Sequence, residues 1–582
     1  MYILAYKDGH DPAACLLKDG EVLAACEEER FTRQKHAPSV FPKQSIQFCL
    51  TQAGISENEV DHVVYARLKP LATAWRVGWY YLIHPPTSLI QMRYAAVHMK
   101  VQIVGSLKAL LGRAGYQKIR EIFPNFPKKI YSYEHHLCHA ASAYYFSNFS
   151  DSLIITWDGK GEATSVFVAK GEGNKIRFIH RRGIFSSLGL LYSAATKYLG
   201  FTPNDGEYKV MGLAPYGNPD VDFSKILRPD ARRGFWANPD FVLYPMAVKS
   251  FERVFGPRRK KDEPVGQEHK NFAASLQLAL EESGLSAVRE ALRKNPSKNL
   301  CLAGGVALNV KLAKRIWDAE IVEGLFVQPA AGDDGLVLGA AAFLYTELTG
   351  KRVKPLTSLY FGPEYSASVG LAAIEAANLK YTKEENIINT AAELLSSGKV
   401  VGWFQGRMEF GPRALGNRSV LAHPGRAEMK DLVNEKIKFR EAFRPFCPSI
   451  MAGYAQQYFS NYYPAPFMIT SFAVSGEAVA KKIPAVVHVD GTVRPQAVEQ
   501  SVNPRYYELL EAFRQRTGIP ALLNTSMNIR GEPIVCSPQD AINFFLKTNV
   551  DALVIGDYLL RKSEQYPDDL QTLSIKELKT EY

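Results

Sequence analysis

The sequence predicts an α/β protein in two parts, a first half of duplicated α/β units and a second α/β unit behind it. Strand-length apolar runs alternate with helical periodicity along most of the chain. Two hairpin-like stretches, one at the start and one from Ser152 onward, each precede further strand and helix patterns, which is the mark of an internal repeat. Between Gly350 and Ser366 the periodicity lapses into Lys, Pro, Gly and Tyr, and a new pattern begins beyond it. The predicted domains are therefore 1–355 and 366–582.

In order, Tyr2–Tyr6, Ala13–Lys18 and Glu21–Cys26 are predicted strands, joined by the loop Lys7–Asp11 and an Asp19-Gly20 turn. Helical periodicity covers Pro42–Ala53, and a strand covers Val60–Arg67. Residues 68–118 form an aromatic, basic insert, predicted helical, that serves either as a packed cap or as one wall of a substrate pocket. A helix carries His135 and His139. The strand Ser152–Trp157 ends at Asp158-Gly159, and Ser165–Ala169 is the next strand. Asn299–Ala303, Gly304-Gly305 and Val306–Asp318 read as strand, glycine turn and helix. Leu325–Gln328 then leads through Pro329–Gly335 into a helix Leu336–Leu348. The second part opens with a helix Asn386–Ser397 and a strand Val400–Phe404, and runs to about residue 560 before a polar tail.

At 582 residues the chain exceeds one ordinary core, and 46% hydrophobic with 22% charged residues permits packed domains of normal density. Cys15, Cys26, Cys49, Cys138, Cys301, Cys447 and Cys536 stand singly, without CxxC spacing, which argues against a disulfide framework or a zinc knuckle. Met1 leads directly into a strand with no signal-peptide pattern. The most apolar long stretch, Tyr80–Val101, is interrupted by His84, Pro85, Pro86, Arg93 and His98, so it is not read as a span. A cytoplasmic location without a membrane partner is expected. The net charge of +11 points to anionic partners, and with no nucleic-acid motif present the expectation is small phosphates rather than nucleic acid.

Four constellations carry chemistry. His135 and His139 lie one helical turn apart, so both imidazoles can face one cation. Alone they read rather as a pair of packed or surface histidines; Asp158 at the end of one apolar strand and Asp333 in the segment after another change that reading. Two His and one or two Asp suit a divalent metal such as iron, manganese or zinc, and of these iron is favoured only once the family resemblance given below is added. Asp334 adjoins Asp333, and of the two Asp333 is preferred as the ligand. The glycine turns Gly159-Lys160-Gly161 and Gly304-Gly305 expose backbone N–H groups of the kind that bind phosphate, although tight turns need glycine in any case. No GxxxxGK[ST] loop is present. In the second half, the segment Gly406–Ser419 sets three arginines, Arg413 and Arg418 among them, between glycines. It is followed by Lys438, Arg440 and Arg444 alternating with aromatics, and by Asn524, Ser526 and Asn528 after the strand Ala521–Leu523. These favour phosphate or magnesium over a solvated basic face. Finally, His10 in the turn Lys7–Asp11 is a candidate general base, its unperturbed pKa being near 6.5, unless it merely bonds Asp11.

In this order the strings resemble the NodU/CmcH/TobZ family of O-carbamoyltransferases over nearly the whole chain. They are Gly9-His10-Asp11, Cys26–Arg33, His135–Ala140, Gly206–Gly217, Gly304–Asn309 and Gly332-Asp333, then Phe410–Ser419, Arg440–Phe446 and Leu523–Asn528. The resemblance implies an actin-like ATPase (ASKHA, Kae-like) N-terminal domain akin to the tRNA threonylcarbamoyl transferase, and a YrdC-like C-terminal domain. It implies that carbamoyl phosphate and ATP, with Mg2+, give carbamoyl adenylate in the C-terminal domain, held by Arg413, Arg418, Lys438, Arg440, Arg444, Arg494, Asn524, Ser526 and Asn528. The intermediate would pass inside the protein to the N-terminal domain and be transferred to a hydroxyl of a small molecule, a secondary metabolite or sugar. There His10 would act as base and His135, His139, Asp158 and Asp333 would hold the metal. Lys160, Gly161, Gly304, Gly305 and Asn309 would bind the nucleotide, and Arg418 would also serve catalysis. A tRNA-modifying enzyme of the threonylcarbamoyl type is the competing reading. The insert 68–118 and the loop 218–265 are expected to shape the acceptor pocket.

Overall fold

The computed structural model describes residues 1–111, 117–127 and 129–565. Part of the predicted insert, 112–116, and the polar tail from 566 lie outside the described residues. The chain divides into two compact units, Met1–Thr32 with His36–Thr357 and Ile469–Ser471, and Arg33–Lys35 with Ser358–Met468 and Phe472 onward.

The first unit opens with β1 (Tyr2–Lys7), β2 (Ala13–Lys18) and β3 (Glu21–Glu27), an antiparallel meander. Helix α1 (Lys43–Ala53) follows, burying Ile46, Cys49 and Leu50 on one face against Leu4, Leu16 and Val63. It stops at Gly54, whose φ of 65° lets its N–H reach back to Leu50 and Thr51 carbonyls. Strand β4 (His62–Tyr65) runs parallel to β1. The insert forms helices α2 (Pro70–Ile83) and α3 (Leu89–Leu110), and β5 (Ile130–Ser132) then pairs in parallel with β4. The sheet order is β3-β2-β1-β4-β5.

Helix α4 (His135–Tyr144) leads into a second meander: β6 (Asp151–Gly161), β7 (Thr164–Glu172) and β8 (Lys175–Gly183). β9 (Asn299–Ala303) is parallel to β6, and after α5 (Val310–Trp317) β10 (Gly324–Val327) is parallel to β9. This order, β8-β7-β6-β9-β10, repeats the first sheet strand for strand. The matching pair of sheets is the duplicated core of an actin-like α/β fold. Helix α6 (Leu336–Thr349) closes the repeat.

The second unit carries α7 (Ala367–Ala376), β11 (Thr382–Lys383), α8 (Ile387–Ser396), β12 (Val401–Phe404), β13 (Arg418–Ala422), α9 (Met429–Lys436), β14 (Cys447–Met451), β15 (Gln496–Val498), α10 (Pro504–Thr517), β16 (Ala521–Ser526), β17 (Ala552–Ile555) and β18 (Tyr558–Arg561). Its eight-stranded mixed sheet has the order β11-β18-β17-β12-β13-β16-β14-β15. α8 and α10 cover one face, where Trp403, Leu509 and Phe513 are buried.

Several boundaries differ from expectation for local reasons. β6 continues past Trp157 through a bulge to Gly161, so Asp158 lies within a distorted strand rather than at its end. The helix expected from Val306 begins at Val310, because Gly305–Leu308 first makes a 3-10 turn and Asn309 is the N-cap. Asn524, Thr525 and Ser526 belong to β16 itself. Helix α7, ahead of α8, was not anticipated.

Candidate functional site

The histidine helix is held by small residues. α4 carries Ala140, Ala141, Ser142 and Ala143, all buried, and packs on α6 where Gly339 faces it. A Cβ at Gly339 would lie 1.8 Å from the Cys138 carbonyl oxygen, so only glycine permits this approach. Because Asp333 lies just before α6, the same contact sets Asp333 against the two imidazoles.

The four expected ligands meet. His135 Nε2 lies 3.1 Å from His139 Nε2, 3.3 Å from Asp158 Oδ2 and 3.5 Å from Asp333 Oδ1. One donor atom from each of the four lies within 4.8 Å of the others. Asp158 is oriented by the Gly305 N–H, which donates to its Oδ1 at 3.0 Å. Burial favours the neutral acid, yet the imidazoles of His135 and His139 hold Asp158 well below the usual carboxylate range. Asp333 is likewise held down against burial, chiefly by Lys7 and then by His135. Burial, with the repelling charge of His135, brings His139 down to about 4, so it presents a neutral ring nitrogen. Two imidazoles and two carboxylates aimed at a common point fit a divalent cation of the borderline class. Asp334 is not part of the cluster: burial, followed by Glu27 and Asp11, raises its carboxyl well above the ordinary range. His136 bonds Thr156 Oγ1 and the Thr164 carbonyl and is structural.

Next to this cluster sits Lys7, 2% exposed, with Nζ 3.1 Å from Asp333 Oδ2 and also donating to the His10 carbonyl. His10 Nδ1 is 2.7 Å from Asp11 Oδ2, and the other Asp11 oxygen is 2.7 Å from His36 Nδ1. The His10 and His36 rings stack at 5.0 Å. Burial lowers the His10 pKa, but the Asp11 hydrogen bond and charge outweigh it and raise it overall.

A cavity of about 220 Å³ lies in the same unit, lined by Arg67, Tyr94, His98, Lys160, Glu162 and Tyr244, with Val97, Val101, Gln102, Pro245 and Met246. The insert and the 218–265 loop thus both contribute walls. Glu162 is 5% exposed, adopts φ +50°, and has no hydrogen-bond partner on either buried carboxylate oxygen. Burial raises its pKa, opposed by His135, which places it beside the cation cluster. His98 is held near 4 by burial and by the charges of Lys160 and Arg67.

The residues expected to bind nucleotide in this unit also have local structural roles. Lys160 turns toward the insert, with Nζ 3.3 Å from Tyr94 Oη, and lines the cavity. Gly161 is small because a Cβ there would meet the His135 ring at 2.5 Å. Gly304, with φ +88°, lets β9 approach β6: its Cβ would meet the Trp157 carbonyl oxygen at 2.2 Å. Asn309 caps α5 by accepting the Leu312 N–H and pairs doubly with Gln277. Of this set, Gly305 hydrogen-bonds a proposed ligand, Asp158, and Gly161 packs against another, His135.

In the second unit, Arg418 is fully buried. Its guanidinium donates to the carbonyls of Gln405, Gly406, Asn417, Pro363 and Cys536, and lies over the Phe404 ring. Bonded to five backbone carbonyls, the guanidinium organises the glycine loop around it. Buried Glu409 does the complementary work, accepting the N–H groups of Leu415, Asn417 and Arg418. Asn524 is also internal, donating to Ala414, Ser449 and Gln496. Lys438 reaches Ser526 and Asn528 through their carbonyls and side chains. Burial and then Arg440, Arg444 and Lys35 push its pKa well below the usual lysine value. That repulsion places a group of cations together. Arg440 donates to Asn434 and stacks on Phe446, Arg444 lies 3.9 Å from Glu441, and Arg494 points at the Cys447 sulfur. Arg413 is half-buried in the glycine loop. Sequence reasoning missed Lys7, Arg67, Glu162 and Lys35; Lys7 stood inside a string already singled out, and Glu162 directly after one.

Fold and site together define a class: a duplicated actin-like α/β unit presenting a buried His/Asp cluster, followed by a second α/β unit rich in buried basic side chains. Residues 3–342 match the family model described as carbamoyltransferase N-terminus, and 392–562 the one described as carbamoyltransferase C-terminus. Protein sll1178 of Synechocystis, an uncharacterized protein, is 39% identical over 96% of both chains. The nodulation protein NolNO of Sinorhizobium fredii is 38% identical over 97% of this chain and 81% of its own. A solved structure, component A of the (R)-2-hydroxyglutaryl-CoA dehydratase of Acidaminococcus fermentans, aligns with 60% of this chain and 98% of its own at 15% identity, TM-score 0.35. The chain belongs to the carbamoyltransferase family, with the nodulation proteins among its relatives.

Proposed function

We propose that the chain is an ATP-dependent O-carbamoyltransferase acting on a small-molecule hydroxyl. In the second unit, water releases carbamate and phosphate from carbamoyl phosphate, and a carbamate oxygen attacks the α-phosphorus of Mg2+-bound ATP, expelling pyrophosphate. The cations around Lys438, Arg440 and Arg444 offset the mutual repulsion of the two anionic substrates. In the first unit the acceptor enters the cavity beside Glu162. His10, whose Nδ1–H is given to Asp11, accepts the hydroxyl proton at Nε2. The acceptor oxygen bonds to the carbamoyl carbon as the bond to AMP breaks. His135, His139, Asp158 and Asp333 would hold a divalent cation, iron ahead of manganese or zinc, that supplies Lewis-acid polarisation when bound.

The observation that carries this reading is Lys7. One buried ammonium joins the backbone of the base to a carboxylate of the cation cluster, which fits a single transfer site rather than two unrelated features. With ATP and carbamoyl phosphate the protein should release pyrophosphate and phosphate. The His10→Asn variant should keep that release while carbamoyl transfer to a panel of methyl glycosides falls by about 10²–10⁴-fold. ADP with phosphate as sole products would overturn the scheme.

A further inference from the structure

Helices of water-soluble units turn apolar residues inward and polar ones outward. α3 departs from this, with large apolar residues among those it turns outward. Its buried positions include Gln91, Tyr94 and His98, with Gln91 bonded to Asp240 and His98 to Tyr81. Leu89, Met92, Val101, Val104, Leu107 and Leu110 face outward. α2 exposes Leu71, Trp75, Trp79 and Leu82, spaced along one helical face, and the two indoles stack with planes 6° apart. Elsewhere the described residues expose only Phe178, Val254, Leu348, Val369 and Val489 among large apolar side chains. The apolar exposure is thus concentrated on one helical pair, beyond what isolated surface residues explain.

Charge decides what covers it. From His62 to Arg120 the sequence contains no aspartate or glutamate, while Arg93, Lys100 and Lys108 are exposed on α3. A second copy docked by two-fold symmetry would set this basic face against itself without an acid to pair with. Aliphatic side chains, tryptophans and lysines on one surface-lying helical pair match the chemistry of an anionic lipid interface. No helix among the described residues is long and apolar enough to cross a membrane, so the pair lies on a bilayer and does not span it.

We infer that α2 and α3 form a docking surface for an anionic lipid bilayer. The sequence reading set membranes aside because it looked for a span, and a surface-lying pair passes that filter. Val97 and Val101 both line the cavity and are more than half exposed, so the cavity adjoins the docked face.

Flotation of the full chain with vesicles of phosphatidylcholine, with or without about 30% phosphatidylglycerol, tests this. Binding to the anionic vesicles should be at least about tenfold tighter and should weaken with salt. Lys100→Glu with Lys108→Glu should lower it about tenfold. Trp75→Ser with Trp79→Ser should weaken binding and remove a vesicle-induced blue shift in fluorescence. Both pairs are exposed, and unchanged melting curves confirm that folding is intact. Absence of binding to anionic vesicles, equal binding to neutral ones, or a solution dimer broken by Leu107→Asp would each overturn the inference. None of these readouts depends on carbamoyl transfer.

Discussion

Asp11 accepts hydrogen bonds from His10 and His36 at 2.7 Å each, so replacing it alters two imidazoles at once. Its carboxylate is what keeps the His10 pKa raised against burial. A base must be neutral to accept a proton, so the raised pKa sets an acidic limb below which transfer fails. Asp11→Asn removes the raising charge, and that limb should move to lower pH by about one unit or more, visible in the pH profile of kcat/KM. An unmoved limb would mean that another group titrates there. Arg418 calls for a different expectation. Truncation to Ala would take the guanidinium from five carbonyls in a buried loop, of which only Asn417 and Pro363 also accept a backbone N–H among the bonds described, at a cost of about 3–5 kcal/mol. Calorimetry should show a lowered melting temperature for both Arg418→Ala and Arg418→Lys, because an ammonium cannot reproduce the guanidinium fork. A phosphate ligand would instead leave melting unchanged while raising the KM for carbamoyl phosphate.

The contact between α4 and α6 governs the cation cluster without contributing a ligand. At Gly339 a methyl group would lie 1.8 Å from the Cys138 carbonyl and 2.8 Å from the Ser142 nitrogen, so the two helices must part. Gly339→Ala should cost at least about 1–3 kcal/mol and separate Asp333 from the histidines. Elemental analysis should then show less bound metal, as it would for His139→Ala. Gly105→Ala on α3, whose added methyl meets only Pro70 at 4.0 Å, is the control and should be silent in metal content. This scale also shows what was legible in the chain. The histidine pair and the strand-associated aspartates were readable because one-turn spacing and apolar strands are local patterns. The duplication was readable from its hairpins, although β8 escaped because its basic, exposed or half-buried residues lack an apolar run. The burial of Arg418 was not legible for the opposite reason: a buried guanidinium bonded to carbonyls and an exposed one awaiting phosphate are the same letter among the same glycines. Glu162 could not be found at all from sequence, since its interest lies in two buried oxygens without partners, a property of the cavity rather than of the string.

At the scale of the whole molecule the chain joins two chemistries that need different surroundings. The cations near Lys438 suit polyanionic substrates, and the neutral His139 ring and buried carboxylates of the first unit suit a cation and an uncharged hydroxyl. A carbamoyl–phosphate anhydride released to water would hydrolyse before finding another chain, so carrying both units on one polypeptide has a kinetic rationale. The consequence can be tested by mixing variants. His10→Asn should form the adenylate but not transfer it, and Arg444→Ala should impair adenylate formation while leaving the transfer site intact. If the intermediate stays with the chain that made it, an equimolar mixture should give no more carbamoylated product than the sum of the two variants alone, at any protein concentration. Recovery of activity that grows with concentration would mean that the intermediate diffuses between molecules, and the fusion of the two units would then need another explanation.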